Sequence, residues 1–232
     1  MPSILITGSN RGLGLEWSRQ YARLDWRVYA TCRYPDEADD LRRLTRRHPN
    51  VEPHRLDVTR PDEIGAVAEA LQDQPIDILL NNAGVYLEKF KGNNLEDIDY
   101  AAWEETFRVN SLGAVRVTKA LSGHVARSEK RLVAAITSHM GSIAEIDSPG
   151  SYAYRSSKAA LNAAMKGISL ELQHHGVGVL LLHPGWVNTR MGGPNAPLST
   201  EQSVNGMRAL VDRFEMHQSG NFYRYDGSLI PW

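Results

Sequence analysis

Along most of its length the chain repeats one pattern: a short run of Val, Ile and Leu, then a longer stretch with helical spacing of apolar residues. The short runs at 3–7, 27–32, 51–56, 77–80, 132–137 and 177–182 look like buried strands, being short and together rich in Val, Ile and Leu. Helices are expected between and after them, at 13–24, 36–47, 61–72, 100–122, 152–174 and 200–214. Strand and helix in regular alternation argue for a parallel sheet with helices on both faces, and right-handed crossovers make it an α/β, Rossmann-like, doubly wound fold. In such a sheet the ligand crevice lies beyond the C-terminal strand ends, so chemistry is sought in the loops that follow strands.

The 232 residues, 42% of them hydrophobic, suffice for one sizeable core. No repeat, low-complexity tract or linker divides them, so residues 1–232 are read as a single domain. With 26 basic and 27 acidic side chains the net charge is −1, which leaves no electrostatic footprint for nucleic acid or an anionic membrane. A small-molecule partner is expected instead. Cys32 is the single cysteine, so an intrachain disulfide and a paired-cysteine metal site are excluded. The N-terminus has no basic segment ahead of an apolar one, and no window approaches the roughly 18 apolar residues of a membrane span. A cytoplasmic protein is the expectation.

Thr7 to Gly14 reads TGSNRGLG, directly after the first strand. Gly8, Gly12 and Gly14 stand where a doubly wound sheet puts a nucleotide phosphate against backbone N–H groups at a helix start. Their spacing is GxxxGxG rather than GxGxxG, and the Lys-Ser/Thr pair of an ATP-hydrolysing phosphate loop is missing. Taken alone, such a turn can be no more than a tight strand-to-helix connection.

Three further stretches change this: NNAG at Asn81 to Gly84, Tyr154-Arg-Ser-Ser-Lys158, and PGWVNT at Pro184 to Thr189. In this order and at these intervals the four resemble the short-chain dehydrogenase/reductase family over essentially the whole chain. The ending GNFYRYDGSLIPW and the segment GGPNAPLS resemble the Sniffer/C-factor type of carbonyl reductase within it. The resemblance implies an NADP(H)-dependent oxidoreductase that passes hydride between the nicotinamide and a carbonyl or alcohol carbon. It also implies self-association as a homodimer or homotetramer, and the small residues from Ala159 to Ala164 suit close packing of one helix on another.

Residues four apart on a helix share a face, so Tyr154 and Lys158 can point into one crevice. A phenol is a poor proton carrier at neutral pH unless a nearby cation favours its phenolate, and Lys158 can supply that cation. The resemblance implies Tyr154 as acid/base, Lys158 as its modulator and ribose ligand, and Asn110 as a helix-distorting member of a proton relay. Tyr152 has Ser156, not a lysine, four residues on, and is read as packing. Ser138, after the fifth strand, matches the family's catalytic serine, which would hydrogen-bond the substrate oxygen. From Ser138 to Tyr154 is 16 residues, longer than the family's usual step, so extra residues are expected to bulge at 144–150 and Ser142 stays an alternative. A serine-hydrolase elbow is excluded, because ITSHMG lacks the glycine two residues before the serine.

By the same resemblance the cofactor is held by Gly8, Asn10, Arg11, Gly12 and Leu13 in the turn, Asp57 and Val58 after the third strand, and Asn82, Ala83 and Gly84 after the fourth. Val109, Tyr154 and Lys158 contribute from helices, and Pro184, Gly185, Val187 and Thr189 wrap the nicotinamide. An NAD enzyme of this fold places an acidic residue about 20 residues beyond the glycines, on the ribose 2′-OH. Here the second strand ends in Arg33, whose planar fork of donors suits a 2′-phosphate, and Arg11 stands where a second guanidinium can join it. The alternative is that Asp36 or Asp39 turns in to serve NAD. His139 and Trp186 are expected to line the substrate pocket, and residues 191–199 to form a mobile flap. The eight histidines make no metal signature, and no metal is expected. A rival reading, a nucleotide-sensing regulatory or signalling protein on this fold, predicts loss of catalytic residues, whereas all four are present.

Overall fold

The computed structural model describes residues 1–89 and 94–232. Seven strands form one all-parallel sheet in the order β3-β2-β1-β4-β5-β6-β7. They are β1 Ser3–Thr7, β2 Arg27–Cys32, β3 Val51–Arg55, β4 Ile78–Asn81, β5 Leu132–Ile136, β6 Gly178–His183 and β7 Asn221–Arg224. Six were expected from the pattern; β7 was not, since its four residues NFYR carry no apolar run. Its pairing with β6 supplies the order that its sequence lacks.

The helices are α1 Gly12–Arg23, α2 Asp39–Arg47, α3 Pro61–Ala70, α4 Tyr100–Phe107, α5 Ala114–Ala126, α6 Tyr152–Gln173 and α7 Thr200–Asp212. Alternate strand residues feed opposite cores. Ile4 and Ile6 pack with Trp17, Leu41 and Val211 on one face of the sheet, whereas Leu5 packs with Val67, Val117 and Leu161 on the other. Two expected helices are divided. Residues 36–47 are a short 3₁₀ turn, Pro35–Glu37, followed by α2. The run expected at 100–122 is α4 and α5 joined by a π-helical segment, Arg108–Gly113, with Asn110 inside it. Such single-turn widenings recur at functional sites because they turn one residue out of the helical register.

The strand order reverses between β1 and β4, the switch point at which a doubly wound sheet opens its crevice. The glycine turn, NNAG and the Ser138 loop all leave the C-terminal strand ends on this side. No helix among the described residues is long and apolar enough to cross a membrane. Nor do three or more His, Cys, Asp or Glu residues gather there as a metal would require.

Candidate active site

The glycine turn and the NNAG loop are stitched together. Thr7 Oγ1 accepts from the backbone N–H groups of Asn82 and Ala83, each at 2.9 Å, and Asn82 Nδ2 donates to the Thr7 carbonyl at 2.8 Å. Within the turn, a Cβ on Gly14 would lie 2.2 Å from the Gly8 carbonyl oxygen, so the first turn of α1 folds onto the strand end only with glycine there. Asn10 and Arg11 remain exposed, and Gly12 and Leu13 half-buried, at a helix start with no acidic residue in its first turn. The N–H groups and dipole of that start are left for an anion.

The catalytic candidates converge beside it. Tyr154 and Lys158 lie one turn apart on α6, both buried, with the lysine ammonium 5.9 Å from the phenol ring centre. Lys158 Nζ donates to the Ile136 carbonyl at the end of β5, at 2.9 Å. Asn110 Oδ1 accepts from Val85 N at 2.8 Å, while its Nδ2 donates to the Val85 carbonyl at 2.9 Å and to Ser157 Oγ at 3.0 Å. This buried amide therefore ties the π segment to both the NNAG loop and α6. Gly84 lies between the groups, where a Cβ would stand 3.3 Å from Asn110 Oδ1 and 3.7 Å from Lys158 Nζ.

Ser138 stands at the Tyr154 phenol and favours its charged form, its Oγ also accepting from Met140 N at 3.1 Å, whereas Ser142 Oγ accepts from Glu145 N at 3.3 Å within its own loop. Of the two serines, Ser138 is the one that influences the protonation of the phenol. Its loop is braced on α6: Thr137 Oγ1 donates to Asn162 Oδ1 at 2.6 Å, and Asn162 Nδ2 donates to the Gly141 carbonyl at 3.2 Å. Gly141 permits this approach, since a Cβ there would lie 2.8 Å from the Lys158 backbone. The extra residues of 144–150 form an irregular loop, as expected, held by Ala144 N donating to the Trp232 carbonyl at 3.0 Å and by an Arg224–Glu145 ion pair.

The protonation states depart from the expected tuning. Burial pushes the Tyr154 phenol up to about 12; the Ser138 hydrogen bond opposes this and Tyr86 adds to it. Burial pushes the Lys158 ammonium down to about 8. The cation expected to lower the phenol is not among the influences that shift it; the dry surroundings dominate and disfavour both charged forms. Tyr154 is therefore a protonated donor at neutral pH.

At the other end, Arg11, Arg33 and Asp57 stand at the ends of β1, β2 and β3. Arg11 lies below its ordinary value, first through partial burial and then through the like charges of Arg190 and Arg33. Arg190 was missed from the sequence; it follows Thr189, whose side chain packs 3.6 Å from where a Gly12 Cβ would stand. Of the two carboxylates offered as NAD ligands, Asp39 pairs with Arg42 on its own helix at 3.4 Å, and Asp36 sits in the 3₁₀ turn. Asp57 accepts from Thr59 N and Oγ1 at 2.9 and 2.8 Å; Val58 is buried and Val109 half-buried.

Pro184, Gly185, Val187 and Thr189 follow β6 into a loop that laces up residues 191–199, the stretch read as a flap. Trp186 Nε1 donates to the Gly192 carbonyl at 2.9 Å, Gly192 N to Thr189 Oγ1 at 3.0 Å, and Asn188 N to the Leu198 carbonyl at 2.8 Å. Its prolines and glycines prevent regular structure but leave backbone groups free to bond this loop. Trp186 is 57% exposed. His139 stacks on His183 at 4.8 Å and stands 3.8 Å from Glu145. His183 is buried, with Nδ1 lacking a hydrogen-bond partner; burial first, then His139 and Arg224, push it down to about 3, so it is neutral. Neither His183 nor Tyr86, which stacks on Tyr154 at 4.3 Å, was read from the sequence.

A doubly wound sheet with a glycine turn at its switch point and a Ser-Tyr-Lys cluster beside it defines a dinucleotide-dependent oxidoreductase fold. Residues 2–197 match the model of the short chain dehydrogenase family, and the chain belongs to that family. It is 46% identical to C-signal of Myxococcus xanthus over 158 residues, 68% of this chain and 93% of that protein. The carbonyl reductase Sniffer of D. melanogaster superimposes with a TM-score of 0.91 at 31% identity, covering 100% of both chains. An NADPH-bound carbonyl reductase from chicken fatty liver does so with a TM-score of 0.92 at 30% identity, over 100% of this chain and 99% of that one.

Proposed function

We propose that the protein is an NADP(H)-dependent carbonyl reductase, acting on aldehydes, ketones or quinones or oxidising the corresponding alcohols. The observation that carries this is the gathering of Asn110, Ser138, Tyr154 and Lys158 at the strand ends beside the glycine turn. The residues fit the cofactor. The turn offers backbone donors with no acid in its first helical turn, and among the described residues no ion pair is seen for Arg11, Arg33 or Arg190. Gly8, Asn10, Gly12, Leu13 and the NNAG loop would hold the diphosphate side, Arg11 and Arg33 the 2′-phosphate, and Asp57 and Val58 the adenine. Pro184, Gly185, Val187 and Thr189 would hold the nicotinamide, which when bound supplies or accepts the hydride.

On this reading Tyr154 holds the proton that the substrate oxygen needs, and its high pKa keeps that proton on the phenol until the oxygen becomes basic. Ser138 orients the same oxygen. Lys158, poised near neutrality, and Asn110 return the proton from solvent. His139 and Trp186 border the substrate. We also propose self-association through α6, whose outer face presents Ala163 and Gly167 beside the 59%-exposed Leu170. Sedimentation is expected to show a dimer or tetramer, and a lone 25.9 kDa species at micromolar protein would refute it.

The test is NADPH oxidation against benzaldehyde, cyclohexanone, diacetyl and menadione, with NADH in parallel. Turnover of at least one, faster with NADPH, is expected. The likeness to C-signal favours a second reading, a signalling protein on this fold with little catalysis. Tight NADPH binding without turnover of any carbonyl would support it.

A further inference from the structure

Helix α6, which carries Tyr154, begins without a cap of its own. Its N-cap residue Ser151 is in the left-handed region at φ 55, and its hydroxyl makes no bond to the first turn. That hydroxyl meets Tyr86 Oη instead. Ser151, Ala153 and Tyr154 are all buried, so the free amides of the first turn need a partner from elsewhere in the chain.

Glu88 provides it. One carboxylate oxygen, Oε2, accepts from Ala153 N at 3.1 Å, and the other, Oε1, accepts from Tyr154 N at 2.7 Å. The first turn of α6 has no acidic residue of its own, so this carboxylate also answers the positive end of a 22-residue helix. Two residues earlier, the Tyr86 ring stacks on the Tyr154 ring at 4.3 Å and 23°. The segment is fixed at its other end, where Val85 exchanges hydrogen bonds with Asn110 and Asn82 binds Thr7. One short stretch thus joins the glycine turn, the π segment and the tyrosine.

We propose that Glu88 is a positioning residue for proton transfer: by holding the backbone amide of Tyr154, it sets where the phenol stands relative to Ser138 and the nicotinamide side. The inference rests on Tyr154 as the acid/base. Its signal in the sequence was out of reach, because Glu88 is 66 residues from Tyr154 and belongs to no motif.

The test compares Glu88→Ala, Glu88→Gln and Tyr154→Phe in the full chain, using NADPH and whichever carbonyl of the panel turns over fastest. kcat, carbonyl KM, NADPH Kd and amide exchange at Ala153 and Tyr154 by NMR are read together. Misplacing a reacting group by about an ångström can cost up to about 10²-fold in rate, so a loosened start of α6 in Glu88→Ala is expected to lower kcat roughly tenfold. NADPH Kd and carbonyl KM should stay within about twofold, and both amides should exchange faster. Glu88→Gln keeps one of the two acceptors and should recover only part of kcat, leaving it about threefold below wild type. Should Glu88→Ala not fold, Glu88→Gln decides: kcat lowered with slight deprotection of the amides supports the proposal, and both unchanged overturns it. A Glu88→Ala enzyme with full kcat beside an inactive Tyr154→Phe overturns this inference alone. So does a parallel loss of NADPH affinity and kcat that Gln does not rescue. Retained turnover in Tyr154→Phe overturns the catalytic reading beneath it.

Discussion

The two ends of the cleft are built in opposite ways. At the tyrosine end Asn110, Ser138, Tyr154 and Lys158 are all buried: Asn110 makes three hydrogen bonds, Lys158 holds the Ile136 carbonyl, and Ser138 stands at the phenol. At the arginine end Arg11, Arg33 and Arg190 are exposed, Arg11 feels the like charges of the other two, and Asp39 and Asp57 are engaged elsewhere. The difference follows from what each end must do. A reacting phenol gains from fixed, dry surroundings that need no reorganisation at the moment of reaction. A charged handle gains from guanidiniums that stay solvated and pay little desolvation until the anion arrives. Rearranging the buried end should therefore cost turnover or stability, and altering the open end should cost cofactor choice.

The sharpest break of this contrast is Tyr154→Phe. The ring keeps its packing against Tyr86 and loses only the transferable proton, so kcat should fall about 10²- to 10⁴-fold while NADPH Kd holds. Stopped-flow and fluorescence titration read the two separately. Retention of most activity would mean that the buried end is merely core.

Lys158→Met probes the same end through stability. Lys158 has its folded pKa depressed from 10.5 to about 8 by burial. Below about pH 8 folding must bury a charged ammonium; between about 8 and 10.5 the folded state releases its proton first, the unfolded state binds more protons, and stability rises with pH. That interval corresponds to about 3 kcal/mol, partly offset by the bond to Ile136. The methionine variant should therefore unfold at higher urea than wild type at pH 7, the gap closing toward pH 10.5, while turnover and NADPH affinity both fall. An unchanged gap across that range would show that Lys158 is not buried charged.

What could be read from the chain divides along the same line. Six strands, the glycine turn and the Tyr154–Lys158 spacing were legible because each is a local pattern: a short apolar run, a glycine-rich turn after a strand, or two residues four apart on a helix. The π segment was not visible as such, since RVNSLG carries no breaker; only the resemblance pointed to distortion at Asn110. Tyr86, Glu88, Arg190 and His183 were illegible for another reason. Their importance comes from contacts between residues far apart in the chain, as Tyr86 makes with Ser151, Glu88 with Ala153 and His183 with His139, or from loop ends meeting at the switch point. The upward shift of the Tyr154 phenol was not legible either, because desolvation depends on packing that spacing alone does not reveal.

Arg33→Asp tests the open end. Losing a charge-assisted pair and adding a repelling carboxylate should cost NADPH about 2 kcal/mol or more, roughly 30-fold in kcat/KM, with NADH little changed and kcat preserved. A wild type that prefers NADH, or a variant whose preference does not move, would show that Arg33 does not read the phosphate.

The smallest effect separates the two ends without any mutation. Exposed charges interact through water and are screened over about 10 Å at 0.1 M salt, whereas buried groups are screened far less. Arg11, Arg33 and Arg190 are exposed, while Tyr154 and Lys158 are only 8% and 4% exposed. Raising sodium chloride from about 0.05 to 0.5 M should lift the KM for NADPH severalfold, lift that for NADH less because the 2′-phosphate is absent, and leave kcat nearly constant. In Arg33→Asp the salt effect on NADPH should shrink, because one of the screened attractions is gone. A kcat that falls with salt as steeply as cofactor affinity would mean that solvent ions reach the tyrosine end too, and the division between a sealed reacting centre and an open cofactor handle would not hold.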